Sequence, residues 1–139
     1  EEIKRSEKED YSLLANIPSA MPALLKAYVI TRRAAKVGFD WEKIEDVYAK
    51  MHEEIGELKD AQASGDTAHI KEELGDLLFT IVNIARRLSI DPEDALRSTS
   101  DKFVKRFSYI ENNTDIRNAD LDTMDKLWND SKSIEKKGK

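Results

Sequence analysis

Two acidic clusters are the residues of this chain best suited to chemistry, and they flank a turn at Gly65. Residues 53–57 read Glu-Glu-Ile-Gly-Glu, and residues 72–76 read Glu-Glu-Leu-Gly-Asp. Carboxylates three residues apart share one helix face. Because both clusters stand at the same distance from Gly65, an antiparallel hairpin would bring these faces to one edge. The four acids that then converge, which we call the acid quartet, are Glu54, Glu57, Glu73 and Asp76.

The neighbouring acids Glu53 and Glu72 lie on the side of each helix nearly opposite its row of apolar residues, so they should point to solvent. Four clustered anions repel one another and lose hydration, so they need a compensating charge. Carboxylate oxygens without His or Cys ligands favour magnesium or manganese, and the chain lacks the Asp-rich loop of an EF-hand calcium site. The alternative is that these acids form only the solvated face of two amphipathic helices.

Apolar residues alternately three and four apart predict the helices that present the quartet. The expected helices are a first from about Ser19 to Gly38, a second carrying Trp41 to Leu58, a third carrying Ile70 to Leu88, a fourth from Asp91 to about Ile110, and a short last one carrying Met124 to Trp128. We expect a loop at 111–122, a lead-in at 1–16, one catalytic domain at 17–132 and a flexible, frayed tail at 133–139. The narrow apolar face of each predicted helix and the short loops indicate an all-α fold like a four-helix bundle.

Composition excludes several classes of function. A net charge of −5 argues against a nucleic-acid binder, which needs a basic face. The chain has no cysteine, which excludes disulfides and thiolate zinc sites and fits the cytoplasm. Its longest apolar stretches fall far short of a membrane span of about 20 residues, so no membrane contact is expected. The first residue is Glu1 rather than Met, as in a fragment of a longer protein.

The clusters match the E-E-x-x-E and E-x-x-D signature of the MazG-like nucleoside triphosphate pyrophosphohydrolases, which the chain resembles from about Tyr11 to Lys132. The segments that resemble the C-terminal MazG domain are 17–27, 33–41, 73–79, 83–86, 102–107 and 121–128. The resemblance implies an all-α MazG fold paired in a homodimer. It also implies cleavage of a nucleoside triphosphate between the α and β phosphates, giving monophosphate and pyrophosphate.

The resemblance also implies roles for individual residues. The acid quartet becomes the set of Mg²⁺ ligands, with Mn²⁺ as an alternative, and a metal-held water becomes the nucleophile. Lys102 and Arg106, four apart on one helix face, contact the triphosphate and join the catalytic set. Trp128 and Lys132 surround the base, and Asn83 touches sugar or phosphate. Without the resemblance, Lys102 and Arg106 could be ordinary surface charge, and Trp128 could be core filling.

Two other functions stay open. One is a narrower relative that acts on deoxynucleotides or phosphoribosyl-ATP, although the Trp128 segment favours MazG. The other is a non-catalytic helical module that binds a regulatory nucleotide or a partner helix, against which the complete quartet argues.

His52 and His69 are expected to be surface residues. The predicted homodimer also rests on extra apolar residues of the third and fourth helices, namely Ile81, Val82, Ala85, Leu88, Ala95, Leu96, Phe103 and Phe107.

Overall fold

A computed structural model describes residues 12–138, and all regular secondary structure in this range is helical, as the sequence predicts. The helices are α1 (Ala23–Lys36), α2 (Ile44–Ser64), α3 (Thr67–Arg87), α4 (Pro92–Asn113) and α5 (Leu121–Lys137). The chain forms two compact units that meet in sequence between Glu93 and Asp94. Part of the predicted lead-in, residues 1–11, lies outside the described residues. Among those described, no helix is long and apolar enough to cross a membrane.

Helices α2 and α3 of the first unit pack together as a hairpin. Gly65 adopts a left-handed φ of 74° and ends α2, a conformation that costs glycine little. Asp66 then caps α3, since its carboxylate accepts hydrogen bonds from the backbone N–H groups of Ala68 and His69. Val47, Ala61 and Val82 are almost completely buried and form the apolar core of this unit. The two acidic clusters are therefore folded back on each other, as their positions around Gly65 predict.

Helix α1 packs on α3 but begins at Ala23, four residues later than the predicted start at Ser19. The reason is Pro22, because a residue that precedes proline is disfavoured in the helical region. Pro18 to Met21 forms a separate turn, in which the Met21 N–H donates to the Pro18 carbonyl. Helix α2 likewise begins at Ile44 rather than near Trp41.

The second unit contains α5 and all but the first two residues of α4. Helix α4 continues to Asn113, so the connection to α5 is shorter than the predicted loop at 111–122. Asp120 caps α5 by accepting a hydrogen bond from the Thr123 N–H. The last helix is longer than the predicted short helix, because α5 is helical as far as Lys137. The flexibility of the tail at 133–139 stays a prediction. Glu135, on this added stretch, is held by an ion pair to Arg106.

Candidate functional site

Three acids of the quartet lie together on the hairpin. Glu54 and Glu57 of α2 and Glu73 of α3 each place a carboxylate oxygen within 4.8 Å of the others. Glu54 is only 4% exposed and Glu73 only 9%. Within the described part of the chain, the buried Oε2 atoms of Glu54 and Glu73 have no hydrogen-bond partner. Leaving a buried carboxylate oxygen without a partner is unfavourable, so a ligand bound at these atoms would stabilise the cluster.

The fourth acid of the quartet, Asp76, stands apart from this group. Its side chain is exposed and is not among the three converging carboxylates. Asp76 and Glu54 nevertheless line the same cavity, which has a volume of about 630 Å³. Glu53 and Glu72 are exposed, as the sequence predicts. The predicted convergence of four acids is therefore found for three of them, with Asp76 on an adjoining wall.

The surroundings of Glu57 in the cluster shift its pKa upward. A hydrogen bond shared with Glu73 raises the pKa of Glu57 to about 7, and burial and the charge of Glu54 act in the same direction. Oxygen donors alone, two of them with unpartnered buried atoms, suit a hard divalent cation. The residues present therefore fit a metal ion of that class.

Two partners of the cluster were not predicted from the sequence. The Lys50 ammonium lies 3.1 Å from Oε1 of Glu54 and 3.2 Å from Oε1 of Glu53, and these hydrogen bonds raise the pKa of Lys50. His69 Nε2 lies 3.3 Å from Oε1 of Glu73. Each partner stands four residues before its glutamate, so helix spacing was the signal that could have found both. His69 is exposed, as expected of a surface residue, but it also contacts the cluster.

The cavity beside the cluster is lined by residues of the first unit. Asn83 is among them and is 8% exposed. Its Nδ2 donates to the Phe79 carbonyl over 3.1 Å, and its Oδ1 accepts from Arg86 over 3.1 Å. The structure thus places Asn83 on the same cavity wall as Glu54 and Asp76.

The remaining predicted residues lie in the second unit. Arg106 donates to both carboxylate oxygens of Glu135, through Nη2 over 2.9 Å and through Nε over 3.2 Å. The Arg106 guanidinium carbon also lies 5.2 Å from the centre of the Trp128 ring. Lys102 and Lys132 are exposed. The contact between Arg106 and Trp128 joins two predicted residues that the sequence did not place together.

Comparison with known proteins identifies the family of this chain. Residues 42–110 match the family model of the MazG nucleotide pyrophosphohydrolase domain. The chain is 40% identical over 145 residues to "Nucleoside triphosphate pyrophosphohydrolase" of Escherichia coli (strain K12), an alignment that covers 97% of this chain and 55% of the relative. It is 40% identical over 139 residues to "Nucleoside triphosphate pyrophosphohydrolase/pyrophosphatase MazG" of Thermotoga maritima, covering 95% and 53%.

A third relative is "Uncharacterized protein YabN" of Bacillus subtilis (strain 168), 43% identical over 145 residues, which cover 99% of this chain and 30% of the relative. The chain spans about half the length of the first two curated relatives. The family match includes both acidic clusters and the hairpin that carries them. The chain belongs to the MazG nucleotide pyrophosphohydrolase family.

Proposed function

We propose that this protein hydrolyses nucleoside triphosphates between the α and β phosphates. The oxygen of a water molecule forms a bond to the α-phosphorus, the bond from this phosphorus to the bridging oxygen breaks, and monophosphate and pyrophosphate are released. The observation that carries the proposal is the group of three converging carboxylates with two buried, unpartnered oxygens. The names of the relatives from Escherichia coli and Thermotoga maritima, which describe pyrophosphohydrolases of nucleoside triphosphates, support this activity.

The acid quartet is the proposed ligand set for Mg²⁺, with Mn²⁺ as an alternative. When bound, the ion would supply positive charge to polarise phosphate oxygens and to acidify water. The protein's part is to hold the carboxylates ready on two helices, where packing of the hairpin fixes Glu54 and Glu73 in buried positions. The Lys50 ammonium lies 3.1 Å from Oε1 of Glu54 and offsets part of the negative charge of the cluster.

Lys102 and Arg106 are the proposed contacts to the triphosphate. An arginine can donate two hydrogen bonds to phosphate oxygens, and a lysine adds a further positive charge. Both would stabilise the negative charge that grows on the departing pyrophosphate. In this proposal Arg106 exchanges its carboxylate partner Glu135 for phosphate oxygens, while Trp128 and Lys132 surround the base.

The test is a pyrophosphate-release assay with Mg²⁺ and a panel of ribonucleoside triphosphates, deoxynucleoside triphosphates and phosphoribosyl-ATP. We expect pyrophosphate from the ribonucleoside triphosphates, and no release after chelation of the metal. Turnover of deoxynucleotides or phosphoribosyl-ATP alone would instead identify a narrower relative. Nucleotide binding without turnover would identify a non-catalytic module and refute the proposal.

We also propose that the protein acts as a cytoplasmic homodimer. Helix α3 exposes an apolar stripe at positions four and three apart, formed by Leu74, Leu78 and Ile81. A second copy of the chain would cover such a stripe. Val82, which the sequence assigned to this surface, is 1% exposed and belongs to the core. Light scattering at micromolar concentration should give twice the chain mass of 15.9 kDa, and a fully active monomer would refute the dimer.

A further inference from the structure

His69 brings an imidazole nitrogen to the edge of the acid cluster. Its Nε2 lies 3.3 Å from Oε1 of Glu73, and Glu73 is one of the three converging carboxylates. The two residues are four apart on α3, so they share one face of the helix. Two side chains at this spacing can bind the same metal ion, as pairs of histidines do in zinc sites. The proposed Mg²⁺ site uses oxygen ligands only, so this nitrogen has no part in it.

The separation of the two atoms is the one that two ligands of a single ion would have. Metal bonds to imidazole nitrogen and to carboxylate oxygen are about 2.0–2.2 Å long. Two such ligands then lie about 3.0 Å apart at a right angle and about 3.4 Å apart at a tetrahedral angle. The observed distance of 3.3 Å falls between these values. An ion bound by both residues would therefore leave the separation of Nε2 and Oε1 almost unchanged.

Glu73 also connects the imidazole to the rest of the cluster. One of its carboxylate oxygens lies within 4.8 Å of oxygens of Glu54 and Glu57. Glu54 is 4% exposed and Glu73 is 9% exposed, and among the described residues the Oε2 atom of each has no hydrogen-bond partner. Buried oxygens without a partner are unfavourable, so a cation bound at them would stabilise both carboxylates.

The imidazole of His69 is open to an ion that arrives from solvent. Its side chain is 48% exposed, whereas that of its partner Glu73 is 12% exposed. A neutral imidazole carries one nitrogen with a free lone pair, and this nitrogen can bind a metal ion. The contact at Glu54 is of a different kind, because the Lys50 ammonium has no lone pair to offer. The two ends of the cluster therefore differ in the ligands they can add to the acids.

A nitrogen ligand changes which cations the site favours. Imidazole suits transition-metal ions such as those of iron, nickel and zinc, whereas Mg²⁺ prefers oxygen ligands and retains several waters. We propose that His69 and Glu73 together hold a divalent transition-metal ion at the edge of the acid cluster, so that the site binds such an ion more tightly than Mg²⁺. The inference deepens the proposed function and rests on it for the acid quartet as the metal site.

The binding test titrates wild type, His69→Ala and His52→Ala with Co²⁺ and separately with Mg²⁺, by calorimetry without nucleotide. The pH is kept at 8, because protons compete with metal ions for imidazole. His52 is the matched control, since it is the other histidine of the chain and is also exposed. It lies two residues before Glu54, which is about 200° of helix rotation from this ligand.

Wild type should bind Co²⁺ more tightly than Mg²⁺. His69→Ala should lower the affinity for Co²⁺ about 10- to 100-fold and change that for Mg²⁺ by less than about twofold. His52→Ala should behave like wild type with both ions. Equal losses for the two ions in His69→Ala, or no loss for Co²⁺, would overturn the inference.

Proton NMR of the Co²⁺-loaded proteins separates a ligand from a hydrogen-bond partner of Glu73. The ring protons of an imidazole bound to paramagnetic Co²⁺ resonate far outside their usual range. We expect such signals in wild type and His52→Ala, and their loss in His69→Gln, whose amide can still donate a hydrogen bond to Glu73. Shifted ring signals that persist in His69→Gln, or that are absent from wild type, would refute the inference. A protein that binds Co²⁺ through His69 and releases no pyrophosphate would refute the proposed function alone.

Discussion

The acid cluster of the first unit differs from the Arg106–Glu135 ion pair of the second unit in how its charges are arranged. In the first unit three carboxylates gather, and a hydrogen bond with Glu73 raises the pKa of Glu57 to about 7. Among the residues that the structure describes, the buried Oε2 atoms of Glu54 and Glu73 have no hydrogen-bond partner. In the second, Arg106 pairs with Glu135, and this hydrogen bond lowers the pKa of Glu135 and raises that of Arg106. The acid cluster of the first unit therefore leaves negative charge for a cation from outside, whereas the charges of Arg106 and Glu135 in the second unit neutralise each other.

The largest effect is expected from breaking the acid cluster. Each of the substitutions Glu54→Gln, Glu57→Gln, Glu73→Gln and Asp76→Asn should lower kcat by about 100-fold or more, because several kcal/mol of charge stabilisation are lost. The thermal midpoint should stay equal or rise, since one repelling anion is removed. Pyrophosphate release and circular dichroism measure the two outcomes.

The matched controls for these variants are Glu53→Gln and Glu72→Gln, which change the exposed acids next to the cluster. Neither should change kcat by more than about twofold, because surface charges away from a site contribute little. If Glu53→Gln abolished activity and Glu54→Gln did not, the assignment of Glu54 rather than Glu53 to the metal site would be wrong.

An intermediate effect is expected in the second unit. Lys102→Ala and Arg106→Ala should each lower kcat/KM by about 10- to 100-fold, the equivalent of about 1.5–3 kcal/mol for one charged hydrogen bond. Metal affinity measured by calorimetry without nucleotide should be unchanged, because the acids lie in the other unit. Lys126→Ala, which removes an exposed charge from α5, is the control. A parallel loss of metal affinity would contradict the division of roles between the units.

The smallest effect concerns stability at low pH, where the Arg86–Asp40 pair can be compared with Arg106–Glu135. The hydrogen bond from Arg86 lowers the pKa of Asp40 from 3.8 to about 2. The pair therefore stabilises the fold fully above pH 3.8 and loses this contribution as the pH falls toward 2. Asp40→Asn should lower the free energy of unfolding by about 1 kcal/mol at pH 6, a small value because the carboxylate is partly solvated. Below pH 2 the substitution should have no effect, because Asp40 is then protonated in the wild type.

Urea denaturation between pH 2 and pH 6 measures this difference. The free energies of unfolding of wild type and Asp40→Asn should converge as the pH falls. Glu135→Gln should show the same direction of change, because Arg106 lowers the pKa of Glu135. Parallel curves that never converge would mean that the ion pair does not account for the stability carried by Asp40.

Local geometry explains how much of this site could be predicted. The spacing of apolar residues predicted the helices, and the outward direction of Glu53 and Glu72 followed from helix rotation. Helix ends were predicted less well, since Pro22 delays α1 and the capped α5 runs on to Lys137. The contact between Lys50 and Glu54 could have been predicted from the sequence, because it joins residues four apart on one helix.

What the sequence by itself determined is that Glu54, Glu57 and Glu73 share an edge of the hairpin, because helix periodicity and the turn at Gly65 are local properties. Tertiary structure decided which of these acids are buried and which stay exposed, as Asp76 does, since desolvation depends on neighbours from other helices. It also decided the cavity wall, where Arg86 holds Asp40 across 46 positions of the chain. No local pattern specifies such a pair, because only packing of the folded chain brings its members together.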